Sequence, residues 1–261
     1  MITLSHLKVT FAPGTVMEKK ALRGIDLKIA EGEFITVIGS NGAGKSTLLN
    51  AIAGEAPPTQ GKIHIDEKDV TRLPAYARAG EVARVFQDPL AGTCGDLTIA
   101  ENMALAHRRG QRRGLGKGLS RADRDSYAEK LKTLKLGLEN RLDTSMSLLS
   151  GGQRQAVSLL MATLSPLKIL LLDEHCSALD PKTAAFVMKL TDEIIREKKL
   201  TALMVTHSLQ QALHSGTRTI MLHEGKVIYD VAGQTRNGLT VPDLLKQFGA
   251  AMDDDRLLLE H

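Results

Sequence analysis

FITVIGSNGAGKST, residues 34–47, is the stretch on which the reading of this chain turns. Its opening FITVIG (34–39) is a β-branched, apolar run closed by a glycine, the pattern of a buried strand. GSNGAGKST (39–47) then fits G-x-x-x-x-G-K-[ST], with Gly39, Gly44, Lys45 and Ser46 at the defining places. The glycines allow a tight turn that aims backbone N–H groups at phosphates, and a helix N-terminus behind them adds positive potential. Lys45 is placed to reach the β- and γ-phosphates, and the Ser46 hydroxyl to coordinate Mg²⁺. Ser40, Asn41, Gly42, Ala43 and Thr47 complete the cradle. The alternative, an ordinary glycine-rich turn, does not explain the full pattern between a strand and a helix. The cofactors expected are ATP and Mg²⁺.

The chain has 261 residues, enough for one large domain or a domain carrying an inserted subdomain. At 43% hydrophobic and 25% charged residues, its composition is that of an ordinary folded protein. No apolar run approaches the roughly 20 residues of a membrane-spanning helix. The N-terminal MITLSHLKVTF lacks the charged-then-apolar layout of a signal peptide. Cys94 and Cys176 lie far apart, which suggests reduced thiols rather than a disulfide framework. With no tryptophan and 3% aromatics there are few platforms for stacking bases, so no nucleic-acid partner is expected.

KILLLD (168–173) and TALMVTH (201–207) repeat the buried-strand pattern. Helix-like stretches follow each of the strand runs: GKSTLLNAIAG, PKTAAFVMKLTDEIIREKK and SLQQALHSG. Strands alternating with helices predict an α/β fold with a mainly parallel sheet and right-handed crossovers. Residues 97–149 show no comparable strand run and read as helices, LTIAENMALAHRR and RADRDSYAEKLKTLKLG, joined by a basic, glycine-rich link. The expected division is a catalytic core over 1–87 and 150–232, an inserted helical subdomain over 88–149, and a C-terminal helix and tail over 233–261.

A phosphate loop alone does not separate kinases, GTPases, helicases and transport ATPases. LLSGGQRQA (148–156) does, because it precedes ILLLDE by about twenty residues. Together these motifs resemble the ATP-binding cassette (ABC) family, whose signature is L-S-G-G-Q, and every motif stands in the family's order. The resemblance implies a P-loop NTPase core with an N-terminal antiparallel β part and the helical insertion. Physically, Ser150 can cap a helix starting at the glycines, presenting Ser150 and the N–H groups of Gly151 and Gly152 to a phosphate. The family supplies the partner: the γ-phosphate held by the other subunit, with Gln153 completing the motif, so that two cassettes sandwich two ATPs head to tail.

LLLDEHCSALDP (170–181) sets Asp173, Glu174, His175 and Cys176 side by side, which raises the question of a metal site. Alternation along a strand end sends neighbours to opposite faces, and no second His/Cys cluster completes a zinc spacing. ILLLDE matches the family's Walker B strand instead. The resemblance makes Asp173 the residue that holds Mg²⁺ through water and Glu174 the general base that polarises the attacking water. The family usually has Pro and then Thr or Phe where this chain has His175 and Cys176. The family geometry places those two near the nucleotide wall and the D-loop SALD (177–180), with redox sensitivity of Cys176 as a remaining alternative. The resemblance further assigns Gln87 in VFQDP to the Q-loop, touching Mg²⁺ and transmitting nucleotide state. It makes His207 in LMVTH the switch histidine on the γ-phosphate, Asp180 the D-loop carboxylate, and Phe11 the ring stacked on adenine.

The chain therefore reads as the ATPase subunit of an ABC transporter. It is expected to act as a homodimer at the cytoplasmic face of the membrane, beneath a separate permease, with an extracytoplasmic solute-binding protein. GSNGAGKST resembles the loops of branched-chain-type amino-acid importers, which implies import of a small organic solute such as an amino acid. A non-transport ABC switch on nucleic acid or a protein complex is the alternative, but the chain has neither long heptad coiled coils nor a second cassette. A GTPase would carry N-K-x-D, which is absent. The basic run HRRGQRRGLGKGLSRADR (107–124) is either a solvated loop or a contact with anionic headgroups or an acidic permease edge.

Overall fold

The computed structural model describes residues 1–111 and 118–249. In chain order its elements begin β1 (Ile2–Phe11), β2 (Lys19–Ile29), β3 (Phe34–Gly39), α1 (Lys45–Ala53), β4 (Gln60–Ile65), β5 (Lys68–Asp69) and α2 (Ala75–Arg78). Next come β6 (Val82–Val85), α3 (Ile99–His107), α4 (Arg121–Lys132), α5 (Gly151–Ala162), β7 (Ile169–Asp173) and α6 (Pro181–Lys198). The chain closes with β8 (Ala202–Val205), α7 (Leu209–His214), β9 (Arg218–His223), β10 (Lys226–Ala232), α8 (Gly233–Asn237) and α9 (Val241–Gly249). By contact density the chain separates into two compact units, Met1–Arg78 with Lys199–His261, and Ala79–Lys198.

In the first unit, β2, β1, β4 and β5 form an antiparallel sheet in that order, which is the expected N-terminal β part. The second set of strands is built around β3, which pairs in parallel with both β8 and β9, while β10 returns antiparallel along β9. Every residue of β3 is buried, as a strand covered on both faces requires. Its single polar side chain, Thr36, is satisfied internally by the Ala212 carbonyl at 3.0 Å and the Thr219 hydroxyl at 2.9 Å. Ile38, Leu209, Ala212, Met221 and Leu244 close an apolar cluster in which α7 and α9 pack together, so α9 is docked by its own leucine.

In the second unit, β6 and β7 pair in parallel, α5 packs against β6, and α3, α4 and α6 in turn pack against α5. The helices begin where capping chemistry predicts. Thr98 with Glu101, Ser120 with Asp123, and Ser150 with Gln153 each form a reciprocal capping box. Asp180 caps α6 by accepting from Thr183 N at 3.1 Å, with Pro181 in the first helical place.

Candidate active site

The phosphate loop lies wholly in the first unit. β3 delivers Gly39, whose missing Cβ would strike the Leu222 carbonyl oxygen, so a side chain here would push the loop off β9. Gly44 has φ +104°, and a Cβ on it would lie 2.6 Å from the Ala21 carbonyl oxygen. Only glycine meets both demands, and α1 can therefore start directly at Lys45. The β9–β10 turn braces the loop from behind, with Gly225 N donating to Ala43 O at 3.0 Å.

The Lys45 ammonium is buried and donates to Gly39 O at 2.7 Å and Ser40 O at 3.1 Å, so its own loop curls around it. Asn41, Gly42 and Ser46 are exposed, and the first-turn N–H groups of α1 have no acceptor within the helix. Backbone donors, a cation and a hydroxyl at one helix end form a site suited to phosphate. Phe11, at the end of β1, leaves 44% of its surface exposed, as a ring offered for stacking would. Also in this unit, His207 follows β8 in a short segment pinned on both sides. Thr206 Oγ1 donates to Gln211 Oε1 at 2.8 Å, and Ser208 caps α7.

In the second unit, β7 ends at Asp173 and the chain turns sharply, because Glu174 adopts φ +46°. The strand alternation used to separate Asp173, Glu174, His175 and Cys176 thus stops at the first of them. They are kept apart by the turn instead. Ser177 holds it, donating to Glu174 O through both N (2.9 Å) and Oγ (2.8 Å).

His175 and Cys176 are both buried, and Cys176 O accepts from Leu179 N of the D-loop segment at 3.2 Å. His175 is buried against α6, its Nε2 lying 2.9 Å from Thr191 Oγ1. Thr191 spends its one proton on Val187 O, so the network makes His175 Nε2 the donor. Burial lowers the imidazole pKa to about 4, so the ring is neutral. Burial likewise pushes the Cys176 thiol up to about 12, which removes the thiolate that redox sensitivity would need. Both side chains are thus withdrawn from solvent directly after Glu174.

Sequence reasoning missed Arg84, whose Nη2 lies 2.5 Å from Asp173 Oδ2. It also missed Gln155, fully buried in α5, whose Nε2 donates to Phe86 O at 3.0 Å, one residue before exposed Gln87. A charge inside the strand VARV and an amide on the buried face of a helix were the available signals.

The signature helix divides its glycines. Ser150 caps α5, accepting from Gln153 N at 3.3 Å while Gln153 Oε1 accepts from Ser150 N at 3.1 Å. Gly151 is exposed, and a Cβ on it would meet only Leu179 Cδ2 at 3.4 Å. Gly152 is buried, and its Cβ would fall deep inside Thr183 Cγ2. The glycine at 152 serves α5–α6 packing. Arg154 fixes the approach to Ser150 by donating to the carbonyls of Met146, Ser147 and Leu149 at 3.0–3.1 Å. Asp180 at the D-loop position is the α6 cap, and its bonds to Thr183 hold its carboxyl below the usual range.

The ABC transporter family matches residues 22–177, a span that contains the phosphate loop, the capped glycine helix and the Asp173–Glu174 turn. This chain is an ABC transporter cassette. It is 44% identical over 257 residues to a tyrosine transport ATP-binding protein of Clostridioides difficile, covering 97% of this chain and 100% of that one. A thiamine import ATP-binding protein of Yersinia pseudotuberculosis is 37% identical over 205 residues, 78% of this chain and 82% of that one. A dimeric ATP-binding cassette solved in a post-hydrolysis state with ADP and Pi superimposes with a TM-score of 0.75 at 31% identity. That match covers 89% of this chain and 98% of the other.

The cassette is an ATPase coupled to transmembrane transport, built on the P-loop NTPase α/β fold. No helix among the described residues is long and apolar enough to cross a membrane. The donors present also suit Mg²⁺: the exposed Ser46 hydroxyl in the first unit and the Asp173 carboxylate in the second are hard oxygen ligands.

Of the basic run, residues 112–117, Arg112 and Arg113 among them, lie outside the described residues. Arg109 does not face outward as a free charge. Its Nη2 donates to Ala162 O at 3.1 Å, at the C-terminal end of α5, where a cation is favoured.

Proposed function

We propose that this cassette powers import of a small organic solute, an amino acid by preference, as a head-to-tail homodimer bound to a separate permease at the cytoplasmic face of the membrane. A solute-binding protein delivers the cargo from outside. The observation that carries this reading is that one chain holds both a glycine loop opening α1 and a Ser150-capped glycine start of α5, two helix ends of the kind that suit phosphate. The end-to-end likeness to a tyrosine transport ATP-binding protein supports the choice of cargo class.

In this mechanism Lys45 and the α1 N–H groups hold the β- and γ-phosphates of ATP. Ser150 and the Gly151 N–H of the second copy close on the γ-phosphate, and Phe11 stacks on adenine. Glu174 accepts a proton from the attacking water as the phosphorus–oxygen bond to ADP breaks. His207 contacts the γ-phosphate as the switch histidine. Ser46, Gln87 and Asp173 are the side chains that would hold Mg²⁺. When bound, Mg²⁺ supplies positive charge against the phosphates. Asp180 organises the opposite site from the α6 cap. Gln87, on a segment tied to α5 through Gln155, reports nucleotide state to the helices that meet the permease.

Glu174→Gln tests the chemistry and the transport role together. It should keep ATP binding, slow hydrolysis by roughly 10²–10⁴, and elute as an ATP-bound dimer on size exclusion. In cells lacking the native copy, wild type should restore uptake of labelled amino acids and the variant should not. Near-wild-type hydrolysis would remove Glu174 from its role, and undiminished amino-acid uptake without the cassette would refute the cargo.

A further inference from the structure

β6 reads VARV, and Arg84 is its single charged residue. Its partners in the strand, Val82, Ala83 and Val85, are buried, and its own side chain is only 11% exposed. The β6–β7 register sets Arg84 opposite Leu171, so Asp173, two residues further along β7, lies on the same face of the pair. A long side chain spans that diagonal, and the ion pair closes at 2.5 Å. The Phe86 ring backs the guanidinium, with its centroid 4.7 Å from the central carbon.

A carboxylate as enclosed as Asp173, with 12% of its side chain exposed, is costly without a partner. Arginine is the cation that stays charged under all relevant conditions and holds a carboxylate by fixed geometry. We infer that Arg84 is a positioning residue for the metal-holding carboxylate. In the nucleotide-free cassette it orients and neutralises Asp173, so that a divalent cation alone gains little there and enters only together with the phosphates. This rests on the reading of Asp173 as a metal-holding side chain.

The test is a set of melting curves on the full chain without nucleotide, in chelator and in millimolar Mn²⁺ or Mg²⁺. Wild type should not respond to the metal. Arg84→Met, which keeps a long apolar stem beside Phe86, should melt roughly 5–10 °C lower in chelator and recover much of the loss when metal is added. Arg84→Lys should retain most of the stability and the metal insensitivity. Arg84→Met combined with Asp173→Asn should be no less stable than Arg84→Met alone, and should lose the metal response.

Additive losses in the double variant, or the same metal response in wild type as in Arg84→Met, would overturn the inference. If Arg84→Met does not fold, Mn²⁺ titration of the nucleotide-free wild type followed by electron paramagnetic resonance takes its place. No tight site is expected, and a stoichiometric one would refute the proposal. Failure of the underlying metal assignment would show separately, as unchanged Mg²⁺-dependent ATP turnover in Asp173→Asn.

Discussion

The two signature glycines should part company when each is replaced by alanine. A Cβ at Gly152 would sit far inside the 3.5–4.0 Å at which carbon atoms make favourable contact, and the obstructing atom is Thr183 Cγ2 in the first turn of α6. Threonine has no long chain to swing aside, so the two helices must separate or Thr183 must leave its rotamer. Overpacking of this kind costs about 1–3 kcal/mol. Alanine recovers part of that through helix propensity, about 1 kcal/mol at most, which leaves a net loss of up to about 2 kcal/mol if the full amount is recovered. Gly151→Ala meets only Leu179 Cδ2 at 3.4 Å and should fall within about 0.5 kcal/mol of wild type.

Thr183→Ser supplies the control. It removes Cγ2 but keeps the hydroxyl that bonds Asp180. The remaining neighbours of the added Cβ are then Thr183 Cβ at 3.5 Å and Oγ1 at 3.8 Å in the present geometry. Gly152→Ala should therefore become neutral to slightly stabilising in that background, giving a coupling of about 1–3 kcal/mol, the overpacking cost, in a double-mutant cycle. Urea denaturation of the nucleotide-free chain reads it directly, and for a protein of this size each 1 kcal/mol also moves the melting temperature by about 2–4 °C. Equal destabilisation by Gly151→Ala and Gly152→Ala, or no relief from Thr183→Ser, would refute the packing argument.

Lys45→Ala should abolish ATP binding by the isolated chain, since the ammonium sits inside its own phosphate loop. Ser150→Arg should spare that binding, prevent the ATP-dependent dimer, and lower stability by about 1 kcal/mol through loss of the α5 cap. Equal loss of monomer binding in both variants would contradict the sandwich. Acidification should destabilise the fold through His175, whose folded pKa of about 4 lies below its ordinary 6.5 because of burial. The unfolded chain takes up the proton first, so this contribution is complete above about pH 6.5 and is lost as pH falls toward 4. Between pH 7 and 5, wild type should lose up to about 2 kcal/mol more than His175→Gln in urea denaturation. Identical pH slopes would show that His175 is not held neutral by burial.

The sequence by itself determined the elements and the starts of the two glycine-flanked helices, α1 and α5. FITVIG announces a strand buried on both faces, and GSNGAGKST a loop opening a helix, because each pattern acts within a few residues of chain. The Ser150–Gln153 and Thr98–Glu101 capping boxes are equally local, and the structure has both. What no local pattern holds is the identity of a side chain's partner across elements. Arg84 meets Asp173, 89 residues away, only because β6 and β7 pair in one particular register. His175 turns to Thr191 because Glu174 adopts a left-handed conformation and ends the strand alternation early. Gly151 and Gly152 are identical letters in the chain. The close approach of α6 makes one an exposed helix end and the other a packing contact, since only in three dimensions does Thr183 come to lie against the second.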